Sequence, residues 1–145
     1  MSGSYPRPIP VPDEDTSGFW EAARRGVLAF QRCDHCGHYA HPPVQFCRAC
    51  LELERPSFQF EPVTGYAKVV SWTTVHEHLV SGYENAGPVV QVLGELDAQP
   101  GLYFTATLVG STDDELSLGA RIELVIREVA DGVRIPFYEL REAVP

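Results

Sequence analysis

Hydrophobic and polar residues alternate along most of the chain after residue 57, which is the period of β-strands with one buried face. We predict strands, separated by turn residues, over the segments 58–61, 65–75, 89–96, 102–109, 121–129 and 133–140. Asp131-Gly132, between the last two segments, is a strong signal for a two-residue hairpin turn. No helical period is evident in this half, which is therefore predicted to be mainly β.

The longest segment, 65–75, makes the most specific prediction. Strict alternation puts one set of side chains on a single face of the strand: Ala67, Val69, Ser71, Thr73 and Val75. Five or so antiparallel strands in about eighty residues, with glycines where strands must bend, favour a small closed barrel of the OB type over an open sheet with bare edges. A β-sandwich is the alternative.

The first fifteen residues follow a different pattern. Proline stands at every second position from Pro6 to Pro12, which fixes φ and removes amide donors, so we predict an extended arm that cannot pair inside a sheet. Such an arm is either a loose tail or a segment that lies across a partner subunit.

A short helix is predicted after the arm, beginning between Thr16 and Gly18 and ending before Gly26, a natural residue for a helix C-terminus. Phe19, Trp20 and Ala23 form its apolar stripe, which packs on the chain's own fold or docks on another protein. Residues 27–31 then alternate as a strand.

All four cysteines of the chain lie within eighteen positions, as two Cys-x-x-Cys pairs: Cys33, Cys36, Cys47 and Cys50. Two thiolates on one tight turn converge on a metal, and a second turn completes a tetrahedral shell. Two disulfides or a redox dithiol are the competing interpretation. Zinc is the predicted metal and iron the alternative. A shell of four thiolates has no open position, so the metal would be structural. His35, His38 and His41 are predicted to be exposed loop residues.

Charge is distributed unevenly along the chain. Residues 1–50 hold five basic and five acidic groups, whereas residues 51–145 hold six basic and fifteen acidic groups and so carry the whole net charge of −9. A surface of this sign repels a phosphate backbone, which argues against nucleic-acid binding. No apolar run is long enough to span a bilayer and the first residues lack signal-peptide features, so we predict a cytoplasmic protein that does not enter membranes.

Motifs spread over nearly the whole chain resemble the family catalogued as domain of unknown function thirty-five. In the first half they are Phe19-Trp20-Glu21, Leu28, Phe30-Gln31, Cys33 to Gly37, Pro42-Pro43 and Cys47 to Cys50. In the β half they are Gly65, Trp72 to His76, Val89 to Leu96 and Leu118-Gly119-Ala120. One departure is Leu51, where the family often has glycine, so the second cysteine turn is expected to be looser than the first.

The resemblance implies a rubredoxin-like zinc ribbon fused to an OB-fold, with an arm over 1–15, a ribbon with its helix over 16–56 and a barrel over 57–145. It implies an accessory subunit without catalytic residues of its own. The partner would be a thiolase-like enzyme that acts on coenzyme A thioesters: a thiolase, an acyltransferase or an aldolase (lyase) of steroid side-chain degradation. That partner would bind most of the thioester, in a hetero-oligomer expected to be a heterotetramer. The resemblance assigns no residue of this chain to a cofactor other than zinc.

His76 and His78 alternate at the end of a predicted strand and so share a face, but a third ligand or a nucleophile is missing from the pattern. A zinc ribbon before an OB-fold is also common in single-strand nucleic-acid binding, with Trp72, Tyr103 and Phe104 as possible stacking platforms. We further expect the loop 81–88 and the segment around Phe137, Tyr138 and Leu140 to lie nearest the partner's acyl pocket. The alternative is that Phe137 and Leu140 complete the core of the barrel.

Overall fold

The computed structural model describes residues 5–142; residues 1–4 and 143–145 lie outside the description. One helix, α1 (Ser17–Arg24), precedes eight strands: β1 (Ala29–Cys33), β2 (Tyr39–Ala40), β3 (Phe58–Pro62), β4 (Tyr66–Val75), β5 (Val89–Leu96), β6 (Tyr103–Val109), β7 (Arg121–Ala130) and β8 (Val133–Leu140). The predicted fold class is confirmed: the chain is mainly β, with a short helix, a cysteine ribbon and a small OB-type barrel. No helix in residues 5–142 is both long and apolar enough to cross a membrane.

The ribbon is built on a three-stranded sheet in the order β2-β1-β3. Its central strand β1 ends at Cys33, the first of the four cysteines, and pairs antiparallel with both neighbours. The sequence pattern placed β3 among the strands of the barrel half, but Phe58 pairs with Cys33 and Pro62 with Ala29. This strand therefore reaches back across the cysteine segment and completes the ribbon sheet.

Five strands form a closed barrel in the order β4-β5-β6-β8-β7, with β7 returning to β4. Closure leaves no bare sheet edge, which is the advantage that favoured a barrel over a sandwich. One prediction was wrong in part, because β6 and β8 pair in parallel, with Leu108 opposite Tyr138. Sequence alternation reports which face is buried but not the direction of the neighbouring strand.

A β-bulge at Val70 interrupts β4. Val69 pairs with Gly94 and Ser71 with Leu93, so Val70 is an extra residue without a partner on β5. An inserted residue reverses the alternation of side chains beyond it. Ala67 and Val69 face the core, whereas Ser71 and Thr73, which were predicted to share their face, are exposed. Beyond the bulge the inward face passes to Trp72, which packs against the core.

The buried core is continuous from the helix through the ribbon into the barrel. The helix and the ribbon meet the barrel at a cluster of aromatic rings from α1, β1 and β6. In this cluster the ring centroids of Phe19, Phe30 and Phe104 lie 5.7–5.8 Å apart. We call these three residues and His41 the aromatic junction. Inside the barrel, Tyr138 is fully buried and its hydroxyl donates a 3.0 Å hydrogen bond to the Phe104 carbonyl. The two halves therefore share one hydrophobic core.

The described part of the proline-rich arm, from Tyr5 onward, forms no strand and no helix before α1. It lies against this chain's own barrel. Arg7 donates to the Gly82 carbonyl over 3.4 Å, and its guanidinium carbon lies 4.2 Å from the centroid of the Tyr83 ring. The sequence left two alternatives for the arm, a loose tail or a segment that lies across a partner subunit. A loose tail does not describe this arrangement, because the arm has a defined contact with the loop between β4 and β5.

Candidate metal centre

Two tight turns present the cysteines in pairs. In the first, the Gly37 amide donates to the Cys33 carbonyl over 2.8 Å; in the second, the Leu51 amide donates to the Cys47 carbonyl over 3.0 Å. Gly37 and Leu51 both adopt left-handed conformations, with φ of 76° and 56°. The second turn was expected to be looser than the first. Its closing hydrogen bond is slightly longer, but Leu51 still adopts the left-handed conformation that a glycine would adopt without strain.

The four sulfur atoms form a compact group, all within 4.8 Å of one another. The Sγ atoms of Cys33 and Cys50 are 3.8 Å apart, and those of Cys36 and Cys47 are 3.6 Å apart. Zn–S bonds of about 2.3 Å in a tetrahedron require S···S separations of about 3.8 Å. All four thiols are free, so the paired-disulfide interpretation is not supported. The donor set and its spacing fit a tetrahedral thiolate-bound metal.

Protonation within the cluster is uneven. Burial raises the pKa of the Cys47 thiol, but hydrogen bonds from the Cys50 and Ala49 amides and from neighbouring thiols outweigh it and lower this pKa to about 7. A backbone hydrogen bond from Glu52 lowers the pKa of Cys50, but burial and the other three thiols overcome it and raise the value to about 12. The Cys50 thiol therefore holds its proton at neutral pH, and a cation that binds the sulfur atoms must displace that proton.

The first turn is braced by residues outside the cysteine set. Arg32 donates from Nε to the Gly37 carbonyl over 2.8 Å and forms an ion pair with Glu61 on β3, also over 2.8 Å. The Asp34 amide donates to the carbonyl of Ser57, which immediately precedes β3. The ribbon sheet therefore fixes the turn on both sides. This bracing agrees with a preformed site and explains why β3 belongs to the ribbon.

The three nearby histidines differ in environment. His35 and His38 are exposed, as predicted. The prediction was wrong for His41, which packs in the aromatic junction with its ring centroid 4.8 Å from Phe104 and 5.2 Å from Phe30. Burial lowers its pKa to about 4. The sequence carries no signal for this position, because a histidine before two prolines in a loop is ordinarily solvated.

The second histidine pair is not assembled by the fold. β4 ends at Val75, so His76 and His78 lie in the following loop and not on a strand. His78 makes a 2.6 Å hydrogen bond to the Gly87 carbonyl and its ring lies against Tyr83, with centroids 5.6 Å apart. His76 is exposed. The interactions of His78 stabilise the loop and are not those of a metal ligand or a general base.

The residues suggested as nucleic-acid stacking platforms do not form a platform. Phe104 is buried in the aromatic junction, Trp72 packs against the core, and Tyr103 is the exposed member of the three. The basic residues of the barrel are also neutralised by ion pairs: Lys68–Glu95, Arg121–Asp97, Arg127–Glu139, Arg134–Glu128 and Arg141–Glu123. A basic groove with stacked aromatic rings, which single-strand binding needs, is not found in residues 5–142.

The C-terminal segment was expected to lie nearest a partner's acyl pocket, but the side chain of Tyr138 lies inside the barrel, and Leu140 follows the alternative of completing the barrel core. Tyr138 lies in β8, fully buried, and Leu140 packs against the same core. The position of these residues near the end of the sequence suggested that their side chains are exposed. In the structure, β8 closes the barrel between β6 and β7, so the side chains lie in the core.

Comparison with known proteins agrees with this architecture. A family model described as the rubredoxin-like zinc ribbon domain of ChsH2 matches residues 20–54, and one described as the C-terminal OB-fold domain of ChsH2 matches residues 60–127. The fold and the cysteine cluster thus define a zinc-ribbon OB-fold protein. The chain belongs to the ChsH2 family, also catalogued as DUF35, and the family resemblance inferred from the motifs is confirmed.

Two solved structures are similar to this chain. One, titled Ltp2-ChsH2(DUF35) aldolase, matches with a TM-score of 0.76 and 26% identity over 90% of this chain and 98% of the other. The second, a DUF35 protein of unknown function from Sulfolobus solfataricus, matches with a TM-score of 0.57 and 15% identity over 88% and 86% of the two chains, and supports the fold alone.

A curated relative from Thermomonospora curvata is named "Probable enoyl-CoA hydratase alpha subunit". It is 30% identical over 141 residues, which is 96% of this chain but 41% of that relative. The chain therefore spans less than half the length of the relative it matches.

Proposed function

We propose that this chain is an accessory subunit that binds and enables a thiolase-like enzyme acting on coenzyme A thioesters. The observation that carries the proposal is its similarity, over 90% of its length, to an OB-fold chain of a structure titled as an Ltp2-ChsH2 aldolase. That match takes in 98% of the other chain, so the similarity extends beyond a shared barrel to the ribbon and its arrangement. The proposed partner supplies the catalytic residues and binds most of the thioester.

The candidate metal ligands are Cys33, Cys36, Cys47 and Cys50, and the proposed metal is one structural zinc ion. Support comes from the sulfur separations and from the match to a zinc ribbon family model. Zinc bound by four thiolates supplies folding free energy and leaves no position for a substrate. Iron remains the alternative. It would give a red protein, whereas zinc gives a colourless one.

The chemistry of the titratable residues favours an accessory role. Every cysteine of the chain belongs to the metal cluster, so none remains to act as a nucleophile. His41 is held neutral in an apolar cluster, and His78 is engaged by a backbone carbonyl. General acid–base catalysis needs such a group within hydrogen-bond reach of a substrate. A subunit of this kind contributes by positioning the partner's loops or walls around the acyl group.

The finer points of the proposal follow the family resemblance. They are an aldol-cleaving (lyase) or acyl-transferring complex in lipid or steroid side-chain degradation, a heterotetramer built on the partner's dimer, and a cytoplasmic location. Contact through the barrel, and through the helix that bears Trp20, is part of the same proposal. The divisions at residues 15 and 56 stay predictions.

Co-expression with the thiolase-like proteins of the same organism tests the accessory role. We expect one of them to form a complex stable to gel filtration, with a mass by light scattering of two copies of each chain. We also expect acyl-CoA turnover that needs both chains. A protein that stays apart from all of these candidates, or a partner fully active alone, would overturn the proposal.

A hydratase complex is the second candidate, because the curated relative carries that name and is 30% identical over 96% of this chain. The two candidates differ in the reaction of the assembled complex. Hydration of an enoyl-CoA removes absorbance of the conjugated thioester, whereas aldol cleavage releases a carbonyl product and a shorter acyl-CoA. Measuring both with the same purified complex decides between them.

A further inference from the structure

The connection between β4 and β5, residues 76–88, is the longest loop of the barrel and exposes apolar side chains. Leu79 is 100% exposed and Val80 52% exposed, and Val75 is exposed where β4 ends. Apolar side chains grouped on one loop of a charged protein are typical of an interaction site.

The exposure of Leu79 results from an ordered loop. The side chain before it, His78, turns inward to the Gly87 carbonyl and to the Tyr83 ring. The amides of Tyr83 and Ala86 bond to carbonyls within the loop, and Glu84 accepts a 2.8 Å hydrogen bond from the Gly82 amide. These contacts satisfy several polar backbone groups of the loop and leave the leucine side chain exposed to solvent.

The arm fixes the loop from its other side. Pro6 and Arg7 approach so closely that a Cβ on Gly82 would lie 2.2 Å from the Pro6 carbonyl oxygen. Arg7 covers the Tyr83 ring at 4.2 Å. Pro8 lines a cavity of about 320 Å³ together with side chains of the loop and of both strand ends: Val75, Leu79, Val80 and Val89. Arm and loop thus form one apolar surface, which we call the arm–loop surface.

Charge complementarity indicates what fits this surface. Glu77 and Glu84 are exposed on the same loop, and within residues 5–142 neither forms an ion pair with lysine or arginine. Arg7, the arginine of the arm, stacks on the ring of Tyr83 and forms an ion pair with neither glutamate. A fitting protein surface therefore offers an apolar recess for Leu79, flanked by basic side chains.

We propose that the arm–loop surface is where the thiolase-like subunit docks, with Leu79 inserted into an apolar recess of that subunit and Glu77 facing its basic side chains. This inference rests on the proposed function and names the surface that would perform it. A buried apolar anchor surrounded by charged residues is the usual arrangement of an interface hot spot.

The affinity of the purified chain for the thiolase-like subunit found by co-expression tests this proposal. Leu79→Ser should weaken binding at least tenfold, the range of a hot-spot residue. Leu118→Ser and Leu53→Ser are matched controls, because these leucines are 74% and 64% exposed on other loops. Both controls should stay within about twofold of the wild type. An unchanged affinity of Leu79→Ser, or an equal loss in the controls, would overturn the proposal.

A matched pair of glycine variants tests whether the arm holds the docking surface in place. Gly82 and Gly87 both adopt left-handed conformations, but a Cβ on Gly87 meets nothing within 4 Å. Gly82→Ala and Gly87→Ala therefore share the backbone strain, and only the first displaces the arm. Gly82→Ala should speed hydrogen exchange of loop amides and weaken binding of the thiolase-like subunit, severalfold more than Gly87→Ala does. Equal effects of the two variants would show that the arm does not hold the docking surface.

Failure of this proposal is distinguishable from failure of the accessory role. If the wild type binds no thiolase-like subunit, both are wrong. If the wild type binds and Leu79→Ser binds equally well, the docking surface alone is wrong. A wild type that dimerises, with a monomeric Leu79→Ser variant, would show that the surface joins two copies of this chain and would also overturn the proposal.

Discussion

Gln99, in the turn between β5 and β6, binds the backbone of Tyr39 on the ribbon at two points. Its side-chain oxygen accepts from the Tyr39 amide over 2.8 Å, and its side-chain nitrogen donates to the Tyr39 carbonyl over 3.0 Å. The amide side chain thus replaces a neighbouring strand at β2, the outer strand of the ribbon sheet. This contact fixes the ribbon to the barrel.

Gln99→Ala should lower the free energy of unfolding by about 1–3 kcal/mol, because both Tyr39 backbone groups are partly buried and lose their partner. Urea denaturation followed by fluorescence measures the change. Gln45→Ala is the control, since Gln45 is exposed and makes one side-chain hydrogen bond, to Asp15. Similar losses in both variants would contradict the structural role of the Gln99 contact.

Cys36→Ser should abolish metal binding and destabilise the ribbon. A shell with one thiolate replaced by a hydroxyl loses affinity, and structural metal binding contributes folding free energy directly. Elemental analysis of the purified variant gives the metal content, and thermal melting gives the stability. A variant that binds no metal and keeps the wild-type melting temperature would show that the cluster is not a folding site.

Leu51→Gly should stabilise the protein. Leu51 holds a left-handed conformation with φ of 56° that costs a non-glycine residue about 1–2 kcal/mol, while its side chain is exposed and loses little contact on removal. We expect a gain of about 1 kcal/mol in the metal-bound protein, reduced by the greater freedom of glycine in the unfolded chain. Leu53→Gly, at an equally exposed position without positive φ, should be neutral or destabilising.

Stability should depend on pH through His41. Its pKa is lowered to about 4 in the folded protein from an ordinary 6.5, so the unfolded chain binds the proton more tightly. The stabilisation is complete above about pH 6.5 and is lost as pH falls through about 4, by up to about 3 kcal/mol.

His41→Phe isolates the contribution of His41 from the loss of metal, which acid also causes. The variant keeps an aromatic ring in the junction and should show a flatter stability profile between pH 4 and 6.5. Denaturant titrations at several pH values give both profiles. If wild type and variant lose stability in parallel, protonation of His41 is not responsible.

The sequence predicted the secondary-structure elements better than it predicted how these elements pair and pack. Strand limits from alternation agree closely for β5 and β8, and the spacing of the cysteines identified the group of four that the fold brings together. The bulge at Val70 escaped prediction because one unpaired residue leaves no mark in a run of β-formers. His41 escaped because its burial depends on rings from α1, β1 and β6, which become neighbours only in the folded chain.

The aromatic junction limits how this protein can be divided or recombined. Phe19 and Phe30 precede the barrel in the chain, yet they pack on Phe104 inside it, so neither half has a complete interior by itself. A chimera that exchanges the ribbon for that of a relative must exchange these ring contacts as a matched set. Random recombination between relatives should therefore yield soluble offspring mainly when crossovers leave the Phe19, Phe30 and Phe104 positions with a common parent.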